Sequence, residues 1–140
     1  MRYLGLDLGT RTLGCSISDE TGLIASTLKT IRFNDSDYDF LLPKIEEIVN
    51  EYGVKTIVLG FPKNMNNTIG PRGETTIEFK NKLEEYLNIE VVLQDERLST
   101  VEATNYMIAA DMSRKKRKKK VDSLAANIIL QTYLDKMRGR

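Results

Sequence analysis

The stretch that decides the fold lies near the start of the chain and reads Tyr3-Leu4-Gly5-Leu6-Asp7-Leu8-Gly9. Its alternation is that of a β-strand, with leucines along one face and with Tyr3, Gly5 and Asp7 along the other. Burying the Asp7 carboxylate without a partner would cost several kcal/mol. We therefore expect Asp7 to hold a cation, to meet a basic partner or to lie on a wetter face than the pattern suggests.

Two further acidic positions occupy comparable places. Asp95-Glu96 closes an apolar run, and Asp122 opens the last helical pattern, which runs from Val121 to Met137. Three separated carboxylate positions of this kind suggest a metal site.

The composition narrows the chemistry of such a site. The chain has no histidine and one cysteine, Cys15, so the usual zinc site, a serine or cysteine triad and a histidine general base are excluded. Carboxylate oxygens remain, and these suit Mg²⁺ or Mn²⁺. We expect Mg²⁺ or Mn²⁺ as the cofactor and Cys15 as a small core residue.

A net charge of only +1 hides a strong segregation of the basic residues. One unbroken cationic run reads Arg114-Lys115-Lys116-Arg117-Lys118-Lys119-Lys120. Such a run is a candidate for binding a polyanion, and the alternative is that it is only solvated surface. Because it leads into the helix that carries Asp122, phosphate bound by it would lie near the proposed metals.

Length and composition predict one domain, residues 1–140, since 140 residues with 41% hydrophobic residues can bury a core. The sequence contains neither a signal peptide nor a long uncharged apolar span. We expect a cytoplasmic protein without a membrane partner.

The apolar spacing predicts a meander of three strands, followed by alternating helices and strands. Strands are expected over residues 2–9, 12–18, 23–31, 55–60 and 89–95, and helices over 41–52, around 79–87, for about ten residues after the capping box at 99–102, and over 121–137. This order predicts an α/β fold, in which a mixed five-stranded sheet is flanked by helices. It is the ribonuclease-H-like arrangement.

In such a sheet the first strand is central, and the fourth and fifth strands run parallel to it. Asp7, Asp95-Glu96 and the start of the last helix would then converge on one edge, where open sheets commonly place ligands.

Five segments, taken in order, carry a resemblance to a known family. They are Gly5-Leu6-Asp7-Leu8-Gly9-Thr10-Arg11, Gly60-Phe61-Pro62-Lys63-Asn64-Met65, Gly70-Pro71-Arg72, Asp95-Glu96-Arg97-Leu98-Ser99-Thr100 and Lys120-Val121-Asp122-Ser123-Leu124-Ala125-Ala126. Over nearly its whole length the chain resembles the Holliday-junction-resolvase-like nucleases often called the YqgF family, whose bacterial members are linked to maturation of pre-16S ribosomal RNA. The resemblance implies a ribonuclease-H-like fold, endonuclease activity, and an acidic site of Asp7, Asp95-Glu96 and Asp122.

The sequence departs from the family pattern at two places. Asn66-Asn67-Thr68 stands where the family often has an acidic residue followed by glycine. Ala125 stands three residues after Asp122, where better-known resolvases carry a second acid. The first departure concerns substrate positioning, and the second predicts a sparser metal cage.

We interpret the chain as a metal-dependent phosphodiesterase in which Asp7, Glu96 and Asp122 hold the metal, Glu96 being preferred to its neighbour Asp95. Candidates for binding phosphate are Arg72, Arg97 and the cationic run that ends at Lys120. The expected substrate is precursor ribosomal RNA, with the ribosome or the small-subunit precursor as a partner. The chain would act as a monomer or a homodimer.

Simpler interpretations stay open for each acid. Asp7 would also be explained as a partner for Arg11, Asp122 as a helix N-cap, and Asp95-Glu96 as an ordinary polar strand exit. Three other functions are also considered: a Holliday-junction-resolving DNA endonuclease, a non-catalytic RNA-binding module, and a fragment of an actin-like ATPase. Length counts against the ATPase, which needs two such domains.

Overall fold

The computed structural model describes residues 2–62, 70–95 and 114–137, with side chains in the last range from Leu124 onward. The strands are β1 (Arg2–Leu8), β2 (Thr12–Ser18), β3 (Ala25–Arg32), β4 (Val54–Phe61) and β5 (Glu90–Asp95). The helices are α1 (Leu41–Tyr52), α2 (Pro71–Leu87) and α3 (Arg114–Met137), with a short 3-10 turn at Tyr38–Phe40. No helix among the described residues is long and apolar enough to span a membrane.

The five strands form one mixed sheet in the order β3-β2-β1-β4-β5. β1 is central, pairing antiparallel with β2 and parallel with β4, and β5 extends the parallel side. The predicted fold class and the central place of β1 are therefore confirmed.

Helices cover both faces of the sheet. Leu4, Leu6 and Leu8 are buried on one face against α1 and α2, in a core that includes Ile45 and Phe79. On the other face lies α3, whose buried residues Ile129, Leu130 and Leu134 pack around Val58 and Ala25. The alternation of β1 thus sends its leucines toward α1 and α2, and Gly5 and Asp7 toward α3.

Gly5 determines how closely α3 approaches the sheet. A Cβ atom at this position would overlap the Ser16 hydroxyl and would lie 2.7 Å from the Leu130 Cβ and 3.1 Å from the Ala126 carbonyl oxygen. The Ser16 hydroxyl donates a 2.9 Å hydrogen bond to the same Ala126 carbonyl. Only glycine lets the helix cross β1 at this distance.

The last helix begins earlier than the sequence pattern indicates. It was expected from Val121, but α3 begins at Arg114, so the cationic run is helical and Asp122 lies inside the helix. Lysine and arginine are good helix formers and neither glycine nor proline interrupts the segment, so the helix extends through the run. The N-cap interpretation of Asp122 is therefore wrong.

The second helix also begins earlier than predicted, whereas the other described elements lie close to their predicted bounds. Pro71 occupies the first turn of α2, where proline is tolerated, so this helix begins well before Phe79. Gly53 follows α1 with φ 65°, the left-handed conformation in which glycine commonly ends a helix. The helix predicted after residues 99–102 lies outside the described residues.

Candidate active site

Asp7 lies near the carboxyl end of the central strand, on the face that α3 covers. Its partner across β2 is Gly14. On the other side Gly60 lies at its level, because Gly60 follows Leu59, the partner of Leu6. Both cross-strand neighbours of Asp7 are thus glycines, so neither directly opposite position adds a side chain beside the carboxylate.

Asp95 reaches the same edge of the sheet on the opposite face. It pairs with Phe61 in the parallel register, and the preceding pair on that face is Leu59 with Leu93. Asp95 therefore shares the leucine face, whereas Gln94 shares the face of Asp7. Both aspartates are partly buried.

The backbone of α3 brings position 122 toward the end of β1. Tyr3 contacts Tyr133, with ring centroids 6.0 Å apart, and Gly5 lies against Leu130 and Ala126. Moving along β1 toward its carboxyl end therefore means moving along α3 toward its amino end. One further helical turn before Ala126 is residue 122, and one further step of two residues along β1 is Asp7.

This ladder of contacts explains how two acids that are far apart in sequence approach one edge. A helical turn advances about 5.4 Å, and two strand residues advance about 6.6 Å. The two steps nearly match, so the antiparallel crossing at Gly5 keeps positions 7 and 122 at similar levels. Gly5 therefore sets the distance between α3 and the strand that carries Asp7.

Arg72 adds a basic group on the other side of the same strand end. From the first turn of α2 its guanidinium donates a 2.9 Å hydrogen bond to the carbonyl oxygen of Leu8, the residue that follows Asp7. A cleft of about 190 Å³ opens beside this contact. Its walls are the β1–β2 turn, the segment after β3 and the start of α2, which contribute Gly9, Thr10, Ser36, Tyr38, Arg72 and Thr75.

The β1–β2 turn itself is held by main-chain hydrogen bonds. Gly9 donates to the Thr12 carbonyl at 2.8 Å, and the Thr10 carbonyl accepts from the Ser36 amide at 2.8 Å. Arg11 pairs with Asp35 at 3.7 Å, and both side chains are mostly exposed. The turn is therefore preorganised, and Arg11 has a carboxylate partner in Asp35.

The cationic run forms the first two turns of α3, in which no acidic residue is present. Like charges three and four residues apart destabilise a helix by about 0.2–0.5 kcal/mol for each pair, and positive charge at a helix amino end opposes the dipole. Bound phosphates would offset both effects. The sequence and its helical setting together make this end of α3 strongly electropositive.

Comparison with known proteins shows which family the chain belongs to. Residues 1–136 match the family model described as RuvX, Holliday junction resolvase. The chain belongs to the RuvX family. The resemblance inferred from the five sequence segments is thereby confirmed.

Bacterial relatives in the RuvX family are similar along their whole length. A protein of Bacillus pumilus is 56% identical over 98% of this chain and 99% of its own length, and one of Geobacillus kaustophilus is 55% identical over 99% and 100%. A Bacillus subtilis relative is 53% identical over 98% and 99%. All three bear the name "Putative pre-16S rRNA nuclease".

Solved structures of resolvases share the fold of this RuvX chain. RuvC of T. thermophilus, in complex with a Holliday junction substrate, aligns with 99% of this chain and 96% of its own at a TM-score of 0.61 and 14% identity. The Fowlpox virus resolvase, in complex with Holliday junction DNA, aligns with 98% and 99% at 0.61 and 12%. At these identities the likeness establishes the ribonuclease-H-like fold.

The predicted site of this RuvX protein is described in part. Asp7, Asp95 and Arg72 lie at one edge of the sheet, and the helix brings position 122 toward it, whereas Glu96 and Arg97 lie outside the described residues. The described side chains contain no group of three acids close enough to hold a metal ion. Because Glu96 and the Asp122 side chain are not among them, the metal site stays a prediction. Oxygen donors beside glycine backbone do fit a hard cation.

Sequence reasoning missed the cleft beside Arg72 and the part played by Gly5. The cleft depends on residues from three separate segments, of which only Arg72 was singled out. Gly5 carried a usable signal, since an isolated glycine inside a strand pattern often marks a close approach of another backbone.

Proposed function

We propose that this protein is a metal-dependent endonuclease that hydrolyses a phosphodiester bond during processing of the pre-16S ribosomal RNA 5′ end. Membership of the RuvX family supports nuclease chemistry, and the names of the bacterial relatives support the substrate. The observation that carries the proposal is the crossing of α3 over β1 at Gly5, because one further turn of the helix would bring position 122 toward Asp7.

In this proposal Mg²⁺ or Mn²⁺ is held by Asp7, Glu96 and Asp122. A bound divalent cation would lower the pKa of the attacking water and would stabilise the leaving oxygen. The chain has no histidine, so it offers no imidazole to accept the proton of that water. Activation of the water would therefore depend on the metal, which the carboxylates would hold at the rigid end of the strand.

Glu96 is our choice over Asp95 as the third ligand. Asp95 lies on the leucine face and Asp7 on the face of α3, so their carboxylates are directed to opposite sides of the sheet. A side chain on the wrong face is poorly placed to share an ion with Asp7. Asp95 would instead have a structural role at the end of β5.

The RNA substrate would be held mainly through its phosphates. Arg72, Arg97 and the cationic run, Arg114 to Lys120, are the proposed contacts. Phosphate contacts fix position and carry little sequence information, so selection of the cleavage site would come from RNA shape or from the small-subunit precursor. The cytoplasm, where ribosomes are assembled in bacteria, is the compartment we propose.

A second candidate function is resolution of four-way DNA junctions, which the description of the family model favours. The chemistry would be the same, but a resolvase must place two acidic sites on opposing strands and therefore acts as a symmetric dimer. The two functions differ in substrate and assembly.

The experiment presents both substrates to the same protein. Wild-type protein is incubated with a precursor 16S fragment or with a synthetic four-way DNA junction. Each incubation is carried out in Mg²⁺, in EDTA, and in EDTA with Mg²⁺ restored. Asp7→Asn serves as the control for contaminating nucleases. We expect RNA cleavage that needs the metal and Asp7. Paired symmetric cuts in the junction with intact RNA would establish the resolvase instead, and cleavage that survives EDTA would refute the metal mechanism.

A further inference from the structure

The cleft between the β1–β2 turn and α2 is next to the acidic edge, and its charge is one-sided. Arg72 is the one charged residue among its described lining residues. Five acids neighbour lining residues in sequence without lining the cleft themselves, namely Asp7, Asp35, Asp37, Asp39 and Glu74, and of these Asp35 pairs with Arg11 and Asp39 with Lys82. Among the described residues, the charge that a ligand inside the cleft meets directly is therefore that of Arg72, which favours an anion.

The guanidinium of Arg72 is oriented by a hydrogen bond to the main chain before any ligand arrives. Its 2.9 Å hydrogen bond to the Leu8 carbonyl uses one of five N–H donors. The planar group is thus oriented, and among the described residues no second acceptor engages it, so its other donors can meet an acceptor of a ligand. A preorganised fork of this kind suits the paired oxygens of a phosphate.

The walls of the cleft favour a phosphate that belongs to a chain over a free ion. The hydroxyls of Thr75 and Thr76 donate to carbonyls of their own helix, at 3.1 Å and 2.8 Å, and the Ser36 hydroxyl donates to Asp35 at 3.0 Å. Among the described lining residues, Arg72 and the hydroxyls of Thr10 and Tyr38 are left as side-chain donors. Tyr38 supplies an apolar wall, since it packs against Phe33 and Phe79.

The position of the cleft decides which phosphate it would hold. Arg72 contacts the residue directly after Asp7, but from the α2 side of the sheet, whereas Asp7 faces α3. A nucleic-acid strand that crosses the end of β1 would present one phosphate to Asp7 and a neighbouring one to the cleft.

We propose that Arg72 and Thr10 form a binding site for a backbone phosphate of the nucleotide next to the cleaved bond. This inference rests on the proposed function, because it assumes that a nucleic-acid strand lies over Asp7. Arg72 thereby sets the register of the strand, while the cationic run holds it more generally.

The test is a coupling experiment on binding, carried out with the Asp7→Asn protein so that the probe is not cut. The probes are single-stranded 2′-O-methyl RNA oligonucleotides of precursor 16S sequence, each with one methylphosphonate, which removes the charge of one phosphate. Affinities are measured by fluorescence anisotropy with Arg72 intact and with Arg72→Met. Lys55→Met is the matched control, because Lys55 lies at the amino end of β4, over the Tyr3 ring.

We expect Arg72→Met to weaken binding about three- to tenfold. One methylphosphonate position, adjacent to the bond that wild-type protein cleaves in the unmodified RNA, should weaken binding to a similar extent. The two losses should not add, because they remove the same contact. Arg72→Lys should retain part of the affinity, and Lys55→Met should show additive losses at every position.

Additive losses at every methylphosphonate position for Arg72→Met would overturn the proposal and leave Arg72 as a structural clamp on Leu8. A clamp alone would weaken all probes alike, and a circular-dichroism melt measures how much stability the variant loses with the Leu8 hydrogen bond. Cleavage of RNA by wild-type protein without such coupling would refute this site and leave the proposed function intact. Coupling without any cleavage would support a phosphate contact at Arg72, but it would overturn the placement of that contact beside a cleaved bond and would refute the nuclease.

Discussion

Asp7 lies between two glycines of the neighbouring strands. Because of this setting, it is the first residue to test. If Asp7 helps to bind Mg²⁺, the ion should raise the melting temperature of the wild-type protein, because a ligand that binds only the folded state stabilises it. Asp7→Asn should abolish that rise. It should also leave the metal-free protein as stable or more stable, since repulsion among crowded acids falls.

The same variant should reduce cleavage by more than the roughly 100-fold that outer-shell changes around a metal can cost. Asp35→Asn is the control, because its exposed pair with Arg11 contributes little to stability. Differential scanning fluorimetry across a Mg²⁺ titration, together with single-turnover cleavage, measures both effects. An unchanged Mg²⁺ shift in Asp7→Asn would remove Asp7 from the metal site.

Cys15 shows the opposite character, that of a core residue. It is fully buried, and burial raises the pKa of its thiol to about 12. The folded protein should therefore resist Ellman's reagent at pH 8 and react once in urea. Because the folded pKa lies above that of an unfolded thiol, this group's contribution to stability is complete below about pH 8.5 and is lost as the pH rises toward 12.

Urea unfolding at pH 8 and pH 10 measures that loss, and Cys15→Ala, which cannot titrate, is the reference. The wild-type protein should lose more free energy of unfolding between the two pH values than the variant does. Equal losses, or rapid labelling of the native protein, would show that the thiol is accessible.

At the scale of elements, the packing of α3 on β1 links the fold to the site. Gly5→Ala would place a Cβ 2.7 Å from the Leu130 Cβ, so the helix has to shift away from β1. Overpacking of this kind typically costs about 1–3 kcal/mol. Because α3 carries Asp122, cleavage should fall further than the loss of folded protein explains.

Gly53→Ala gives a matched comparison for that prediction. Gly53 has φ 65° and a Cβ there would meet nothing within 4 Å, so alanine costs about 1–2 kcal/mol of backbone strain without touching α3. Urea unfolding and cleavage rates are measured for both variants. Equal activity per folded molecule in the two variants would show that the α3 crossing does not affect catalysis.

The cationic run of α3 is predicted to contact the nucleic-acid backbone without reading bases. Changing Lys118 and Lys119 to glutamine should weaken binding to many sequences alike, and should lower the slope of log affinity against log salt by about 0.7 for each lost contact on a single strand. The control changes Lys44 and Lys55, which lie over aromatic rings elsewhere. An unchanged slope in the Lys118 and Lys119 variant would show that the run is only solvated surface.

The elements also explain how much the sequence could predict. Alternation in β1 placed its leucines and Asp7 on the correct faces, because one buried face fixes the register of a strand. The start of α3 was missed because seven consecutive cations have no apolar periodicity, so propensity alone extends the helix there. The Arg72 contact joins residues 64 positions apart, and no local pattern predicts such a pair.

For the whole molecule, the open question is how many copies act together. In the proposed RNA cleavage, the acidic residues, Arg72 and the cationic run of one protomer act on one RNA strand. Flexible single-stranded RNA can bend into such a site, because its scissile phosphate is not enclosed by an A-form helix. A junction resolvase instead needs two copies of the site that face opposing strands.

We therefore expect the rate of RNA cleavage to rise in proportion to protein concentration, with no lag at low concentration. A dimer-dependent enzyme would show a steeper rise below its dissociation constant, because the active species forms by association. Initial rates over a wide range of protein concentration, compared with the oligomeric state from sedimentation in the same buffer, measure this directly. Mixing wild-type protein with excess Asp7→Asn adds an independent check: independent protomers keep their activity, whereas mixed dimers would suppress concerted cutting of both strands. A rate that follows the dimer population and falls on mixing would favour the junction resolvase over the RNA nuclease.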